Sequence, residues 1–303
     1  MSEYHIKKGM NIYWYYWTVP VFLAFLFLNY FANYLKIPSL NLDLMISIVT
    51  FLFGFIISIT FSMILMRVGA LKESLTNETG RLVSIYHLSE GLGKKFHDTV
   101  REILDEYTII TLRYYTEYDR GRESINKLYN NLATMELKSD VDKTKADSFL
   151  YVLGEFQPIR ERIEYLTSSR VEWSLKYTTY ILGGMLILLL FLNRGDPFTN
   201  LLFVLLSTII VFIFLIIEDY DDLKIGDYKA NISNSEQIFD LIEKDRYYPE
   251  EILSRVELER GKKYRIGILD EKDGKEKIFD ILYNPEFKSK VKFLVDKLKI
   301  RKV

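Results

Sequence analysis

Two groups of side chains in this chain have the types and the spacing to act on ions. The first is Ser47, Thr50, Gly54, Ser58 and Ser62, with Phe51, Phe61 and Leu65 on the same side. At the α-helical rotation these positions fall within a sector of roughly 120°. Small and hydroxyl side chains interleaved with rings suit a narrow pore lining. The hydroxyls replace part of an ion's hydration water, and the rings form a constriction that gates by dewetting. The same pattern, Gly54-xxx-Ser58-xxx-Ser62, equally suits close packing of two helices in a membrane. The second group is Glu218, Asp219, Asp221 and Asp222. Clustered carboxylates can hold Ca2+ with the help of carbonyls and waters, or they can form a solvated helix end. Acidic residues oppose the dipole at a helix C-terminus, so they call for a partner: Lys224, Arg67 or a metal.

Both groups need apolar helices to position them. Four segments are long enough to cross a ~30 Å hydrocarbon layer. They run about Tyr13–Tyr34, Leu44–Met66, Tyr177–Leu192 and Leu201–Ile217, and none has a Lys, Arg, Asp or Glu in its interior. The third borrows a turn from Trp173–Thr179, which sets the spans at about 13–34, 44–66, 175–192 and 198–217. Spans without ionisable groups argue against proton coupling and voltage sensing. A pore without fixed charge would select by dehydration cost, which favours large, poorly hydrated anions.

The flanks set a topology. Tyr13, Trp14, Tyr15, Tyr16 and Trp17 open the first span as rings suited to the headgroup level. The apolar run there is longer than that of a cleaved signal peptide, and no small-residue cleavage site follows it. Lys7, Lys8, Arg67, Lys72, Arg170, Lys176 and Lys224 flank one side, against Lys36 and Arg194 on the other. This asymmetry predicts a multi-pass protein of the cell membrane with both termini cytoplasmic.

The 303-residue chain carries a net charge of −1 and no cysteine. The near-neutral balance gives no pull toward nucleic acid. The missing thiols exclude disulfides and thiolate chemistry. Three histidines leave little for a metal site, no nucleophile–base arrangement stands out, and an enzyme is the least supported class. Gly91-Leu92-Gly93-Lys94-Lys95 lacks the strand and the Ser/Thr of a phosphate loop and reads as a turn.

Between the two hairpins, 67–174 reads as long helices. Phe96, Val100, Ile103, Tyr107, Ile110 and Tyr114 make one apolar stripe. Pro158 predicts a break, and the polar run Ser139–Asp147 predicts a loop. Tyr264–Leu269 and Lys277–Leu282 read as strands around Asp273-Gly274, and Phe287, Val291, Leu294, Val295 and Leu298 as a closing helix. The expected domains are 1–232, transmembrane and cytoplasmic helices, and 233–303, a small cytoplasmic α+β domain. The fold class is an all-α polytopic membrane protein: two transmembrane hairpins, a long cytoplasmic helical extension and that small appendage.

This layout resembles the bestrophin-like family of four-span membrane proteins, distantly related to the bestrophin chloride channels. The carrying residues are Phe53-Gly54-Phe55, then Arg67, Leu71 and Leu75, then Asn77-Glu78-Thr79-Gly80-Arg81-Leu82. Phe149–Leu166 with Arg160 and Arg162, Gly183-Gly184, and Leu223-Lys224-Ile225-Gly226 are similar to further blocks. Leu223 and Lys224 stand where that family usually has Pro-Phe. The resemblance covers about 40–230. It implies a homo-oligomer in the lipid bilayer, a pentamer by analogy, with inorganic anions as the permeating partners and span two as the pore helix. It also implies Ca2+ at the acidic cluster after span four. The competing reading is a non-conducting scaffold or sensor that binds partners through its cytoplasmic helices and tail.

Overall fold

The computed structural model describes residues 13–32, 41–115, 117–137, 139–223, 227–269 and 276–283. The described residues form helices α1 (Tyr13–Phe31), α2 (Leu42–Glu90), α3 (Lys94–Arg113), α4 (Arg122–Ala133), α5 (Asp140–Ser168), α6 (Trp173–Leu192), α7 (Pro197–Asp221) and α8 (Asp227–Leu241). Strands β1 (Arg246–Pro249), β2 (Lys263–Leu269) and β3 (Glu276–Leu282) form a sheet in that order. β1 runs parallel to β2, and β2 antiparallel to β3. The expected hairpin pair is therefore present. Its turn and the expected closing helix lie outside the described residues.

Two compact units share the chain. One joins Met10–Ala70 to Ser169–Tyr228; the other joins Leu71–Ser168 to Lys229–Val303, with Met1–Gly9. This division differs from the boundary expected near 232. The tail belongs with the middle helices because it is fastened to α3. Arg265 makes a bidentate pair with Asp105 at 2.6 and 2.7 Å, Arg101 donates to the carbonyls of Ile242 and Glu243, and Arg113 meets Glu251 at 2.5 Å. Paired guanidinium–carboxylate forks add direction as well as attraction.

The apolar unit packs α1, α6, α7 and the first part of α2. Its core is Val49, Phe53, Leu186, Leu189, Leu190, Phe203, Val204 and Ile210. Stretches within α2, within Asp140–Leu192 and within α7 are long and apolar enough to cross a membrane. Among the described residues three stretches meet this measure, and Trp17–Phe31 is apolar but shorter; the expected first span, about Tyr13–Tyr34, runs past the described residues. A capping box starts α7: Asp196 accepts from the backbone of Phe198 and Thr199, Thr199 Oγ1 accepts from the Asp196 backbone, and Pro197 opens the helix. Each such cap satisfies N–H groups that lipid could not.

In the other unit the stripe on α3 is buried at Phe96, Val100, Ile103 and Tyr107, as the spacing requires. Two expectations are corrected. The polar run 139–147 is helix rather than loop. Ser139 and Asp142 exchange side-chain and backbone bonds at 3.1 and 3.2 Å, a capping box that starts α5. Pro158 lies inside α5 and does not end it. It forfeits one backbone bond, to Gly154, and the helix continues because Phe149, Leu153, Phe156 and Ile163 are all fully buried along one side. The turn at Gly91–Gly93 is as expected, with Gly93 at a φ of 102° that L-residues rarely adopt.

Gly183 sets how closely α6 approaches α7. A Cβ there would run into the ring of Phe214, whereas the exposed neighbour Gly184 has open space around it. We expect Gly183→Leu to cost about 1–3 kcal/mol by overpacking. Gly184→Leu should leave the thermal midpoint of the detergent-purified protein near that of the parent.

Candidate functional site

Helix α2 presents three different faces within the apolar unit. Val49, Phe53, Thr60, Ile64 and Val68 are buried against the other helices. Thr60 settles its hydroxyl on Thr179 of α6 at 3.1 Å and on the Ile56 carbonyl at 3.0 Å. A second face, about 120° around the helix, carries Ser47, Thr50, Phe51, Gly54, Ser58 and Ser62, all exposed, with Phe61 half-buried. Phe51 is 73% exposed, and among the described residues nothing lies near the space a Cβ on Gly54 would take. The third face carries Ile48, Leu52, Phe55, Ile59, Met63 and Met66, exposed and wholly apolar. The fold of the unit itself therefore does not consume the hydroxyl face in packing. Ser47 Oγ donates back to the Asp43 carbonyl at 2.8 Å, which leaves its lone pairs outward.

The acidic cluster at the end of α7 meets cations rather than open solvent. Glu218 and Asp221 share the Lys176 ammonium at 2.7 and 2.9 Å. Asp221 also takes Arg67 at 3.2 Å and the Val171 backbone N–H at 2.8 Å. Glu218 accepts the Tyr180 hydroxyl at 2.5 Å, and Asp222 faces Arg170 at 3.4 Å. Asp219 sits about 100° around the helix from Glu218 and is fully buried. This arrangement does not fit the Ca2+ reading. The ammonium of Lys176 holds the position between the two carboxylates that a cation would need. Among the described residues, no three His, Asp or Glu side chains converge as a metal-holding group. Arg67 was one of the partners expected from the sequence, and Lys224 lies outside the described residues.

A further cluster lies in the charged unit. Glu78 of α2 is buried and accepts hydrogen bonds from Tyr107 of α3 and from Tyr118 in the short 3-10 turn Tyr118–Gly121. Arg160 of α5 faces it, fully buried, and bonds Glu164 at 3.3 Å. Burial pushes the Glu78 carboxyl up to about 7, against the pull of the two phenols and of Arg160. The sequence held a signal for this cluster. Leu71, Leu75, Glu78, Leu82 and Ile85 alternate steps of four and three, as do Phe149, Leu153, Phe156, Arg160 and Ile163. Glu78 and Arg160 each occupy a core position of an apolar stripe, where an ionisable group needs a partner.

No protein-family model and no curated protein matches the sequence. Solved structures do resemble the fold. One is a crystal structure of a bacterial bestrophin homologue from Klebsiella pneumoniae, at a TM-score of 0.53 and 10% identity, covering 78% of this chain and 97% of that one. Another is a crystal structure of a single-site variant of a membrane protein, at a TM-score of 0.50 and 12% identity, covering 74% and 94%. This chain is a membrane protein with a bestrophin-like fold. At this identity the likeness is one of helix arrangement, and the charged and hydroxyl side chains described above are this chain's own.

The ion-paired cluster yields a direct expectation. Lys176→Met leaves Glu218 and Asp221 sharing a largely buried site with one cation fewer. Breaking a buried pair from one side costs about 3–5 kcal/mol. The thermal midpoint should fall accordingly, and millimolar Ca2+ should leave the midpoint of the parent protein unchanged.

Proposed function

We propose that this chain assembles with copies of itself into a passive, anion-permeable pore lined by the hydroxyl face of α2. The observation that carries this reading is the exposure of Ser47, Thr50, Gly54, Ser58 and Ser62 beside a separate, wholly apolar face on the same helix. Two exposed faces of such different chemistry call for two different surroundings. Lipid suits Ile48, Leu52 and Phe55. Water, or the same helix of another copy, suits the hydroxyls. The likeness of fold to the bestrophin homologue supports the reading, because the sequence resemblance to the bestrophin-like family implies an anion channel with span two as pore helix.

In this reading α1 completes four crossings. Arg194, in the loop between α6 and α7, donates to the carbonyls of Leu28 and Asn29 at 3.4 and 3.3 Å and stacks on Phe191 at 3.8 Å. It caps the end of α1 with a cation, which the helix dipole favours. With four crossings, the excess of Lys and Arg on one side supports cytoplasmic termini. The pore carries no fixed charge along Ser47–Ser62 and selects by dehydration cost. A second reading, a non-conducting scaffold or sensor, draws support from the tail's many charged attachments to α3.

Two measurements separate the readings. Imaging of the purified protein should reveal a ring with the Ser47–Ser62 face toward its axis; a monomer or dimer leaves no shared central pore. In planar bilayers, Gly54→Leu should lower or abolish anion conductance while the oligomer still forms. Parent protein that assembles but passes no current, or prefers cations, contradicts the proposal.

A further inference from the structure

We propose that Glu78, Tyr107 and Tyr118 form a proton-operated latch that fastens the Tyr118–Gly121 turn, and with it the start of α4, to helix α2. The argument begins with lone pairs. Each carboxylate oxygen of Glu78 takes one phenol, Oε1 from Tyr107 and Oε2 from Tyr118. An ionised carboxylate accepts both. A protonated one turns one oxygen into a donor, and the phenol facing that oxygen exchanges a charge-assisted bond for a weaker neutral one. The two phenols are not held equally. Tyr107 belongs to the twenty-residue helix α3 and packs its ring edge-on to Phe156 at 5.8 Å. Tyr118 belongs to a four-residue turn with no side-chain cap. The Tyr118 bond is therefore the one that yields.

The charged and titratable groups around Glu78 come from three elements. Tyr107 faces it from α3, Tyr118 from the turn and Arg160 from α5. Arg160 contributes charge without a direct bond to Glu78 and is tied to Glu164, which also meets Arg122 at the start of α4 at 3.1 Å. A proton arriving from solvent settles on Glu78 and goes back to solvent when the pH rises. The switching range follows from burial, which places the carboxyl near neutrality.

Local and global effects have opposite signs. The folded carboxyl binds its proton more tightly than the ordinary value of 4.5, so Glu78's contribution to overall stability is fully present below about 4.5 and is lost as pH rises through about 7. Ionisation nonetheless makes both phenol bonds charge-assisted, so the turn itself is held more firmly at high pH. The latch operates whether or not the chain conducts.

Hydrogen exchange on the full-length protein in detergent tests this, read over Tyr118–Arg122 at pH 6 and pH 8 and corrected for the intrinsic pH dependence of exchange. Parent protein should exchange faster at pH 6, by roughly fivefold, the difference between a hydrogen bond to a charged group and one to a neutral group. Glu78→Gln should exchange at one corrected rate at both pH values. Tyr118→Phe, which keeps the carboxyl, should exchange fast at both. PH-difference infrared spectra should show a carboxyl band titrating near neutrality in the parent and absent in Glu78→Gln. Equal rates at the two pH values in the parent overturn the latch, as does a pH response that survives in Tyr118→Phe or a neutral-range band that survives in Glu78→Gln.

Discussion

Large aliphatic and aromatic side chains cover the outward faces of α2, α6 and α7, from Leu52 and Phe55 through Ile181 and Leu188 to Leu201 and Ile209. Water around so continuous an apolar surface is unfavourable in proportion to its area, and monomeric soluble proteins keep such patches small. Lipid removes that cost, and the rest of the apolar unit follows from having lipid as solvent. With no water to bond stray backbone groups, helices are the only open-ended solution, and their ends need caps. Asp196 and Thr199 cap the start of α7, and Arg194 caps the end of α1. With no hydrophobic drive between helices in lipid, close approach does the packing. Gly183 lets α6 come up against Phe214, and Thr60 meets Thr179 across the α2–α6 contact.

The same solvent decides how charge is handled. At the end of α7 three carboxylates oppose the helix dipole and are answered by Lys176, Arg67 and Arg170. These cations come from the end of the apolar stretch of α2 and from the segment entering α6, so the ion pairs also join three elements of the unit. The hydroxyl face of α2 is handled differently, being neither buried nor answered within the unit. That uncovered face is the physical root of the pore proposal. In the charged unit, Glu78 and Arg160 occupy core positions of apolar stripes, where ionisable groups need partners, and that is the root of the latch proposal.

Much of this was legible in the residues. Long charge-free runs announced α2, α6 and α7. The stripe from Phe96 to Tyr107 announced the buried side of α3, and the Asp-Gly signal announced the β2–β3 pair. What escaped did so for definite reasons. Ser139–Asp147 was read by composition, which sees polar residues, although Ser139 and Asp142 stand at capping-box spacing. Pro158 was weighed by the bond it removes, whereas four fully buried residues on one side of α5 outweigh one lost bond. Strand β1 is four residues long and pairs in parallel across a crossover, a contact no local pattern reveals. The acidic cluster was counted along the chain, and chain order cannot say that Lys176, more than forty residues earlier, lies between two of its members.

The central claim, that α2 turns one exposed face to lipid and another away from it, is open to direct measurement. The chain has no cysteine, so single replacements carry a spin label to one position each. Labels on Phe55→Cys and Ile59→Cys, in vesicle-reconstituted protein, should be relaxed by oxygen dissolved in lipid and shielded from a water-soluble nickel chelate. Labels on Gly54→Cys and Ser58→Cys should be shielded from the lipid-borne oxygen. Equal oxygen relaxation at all four positions would place both faces in lipid and contradict the account.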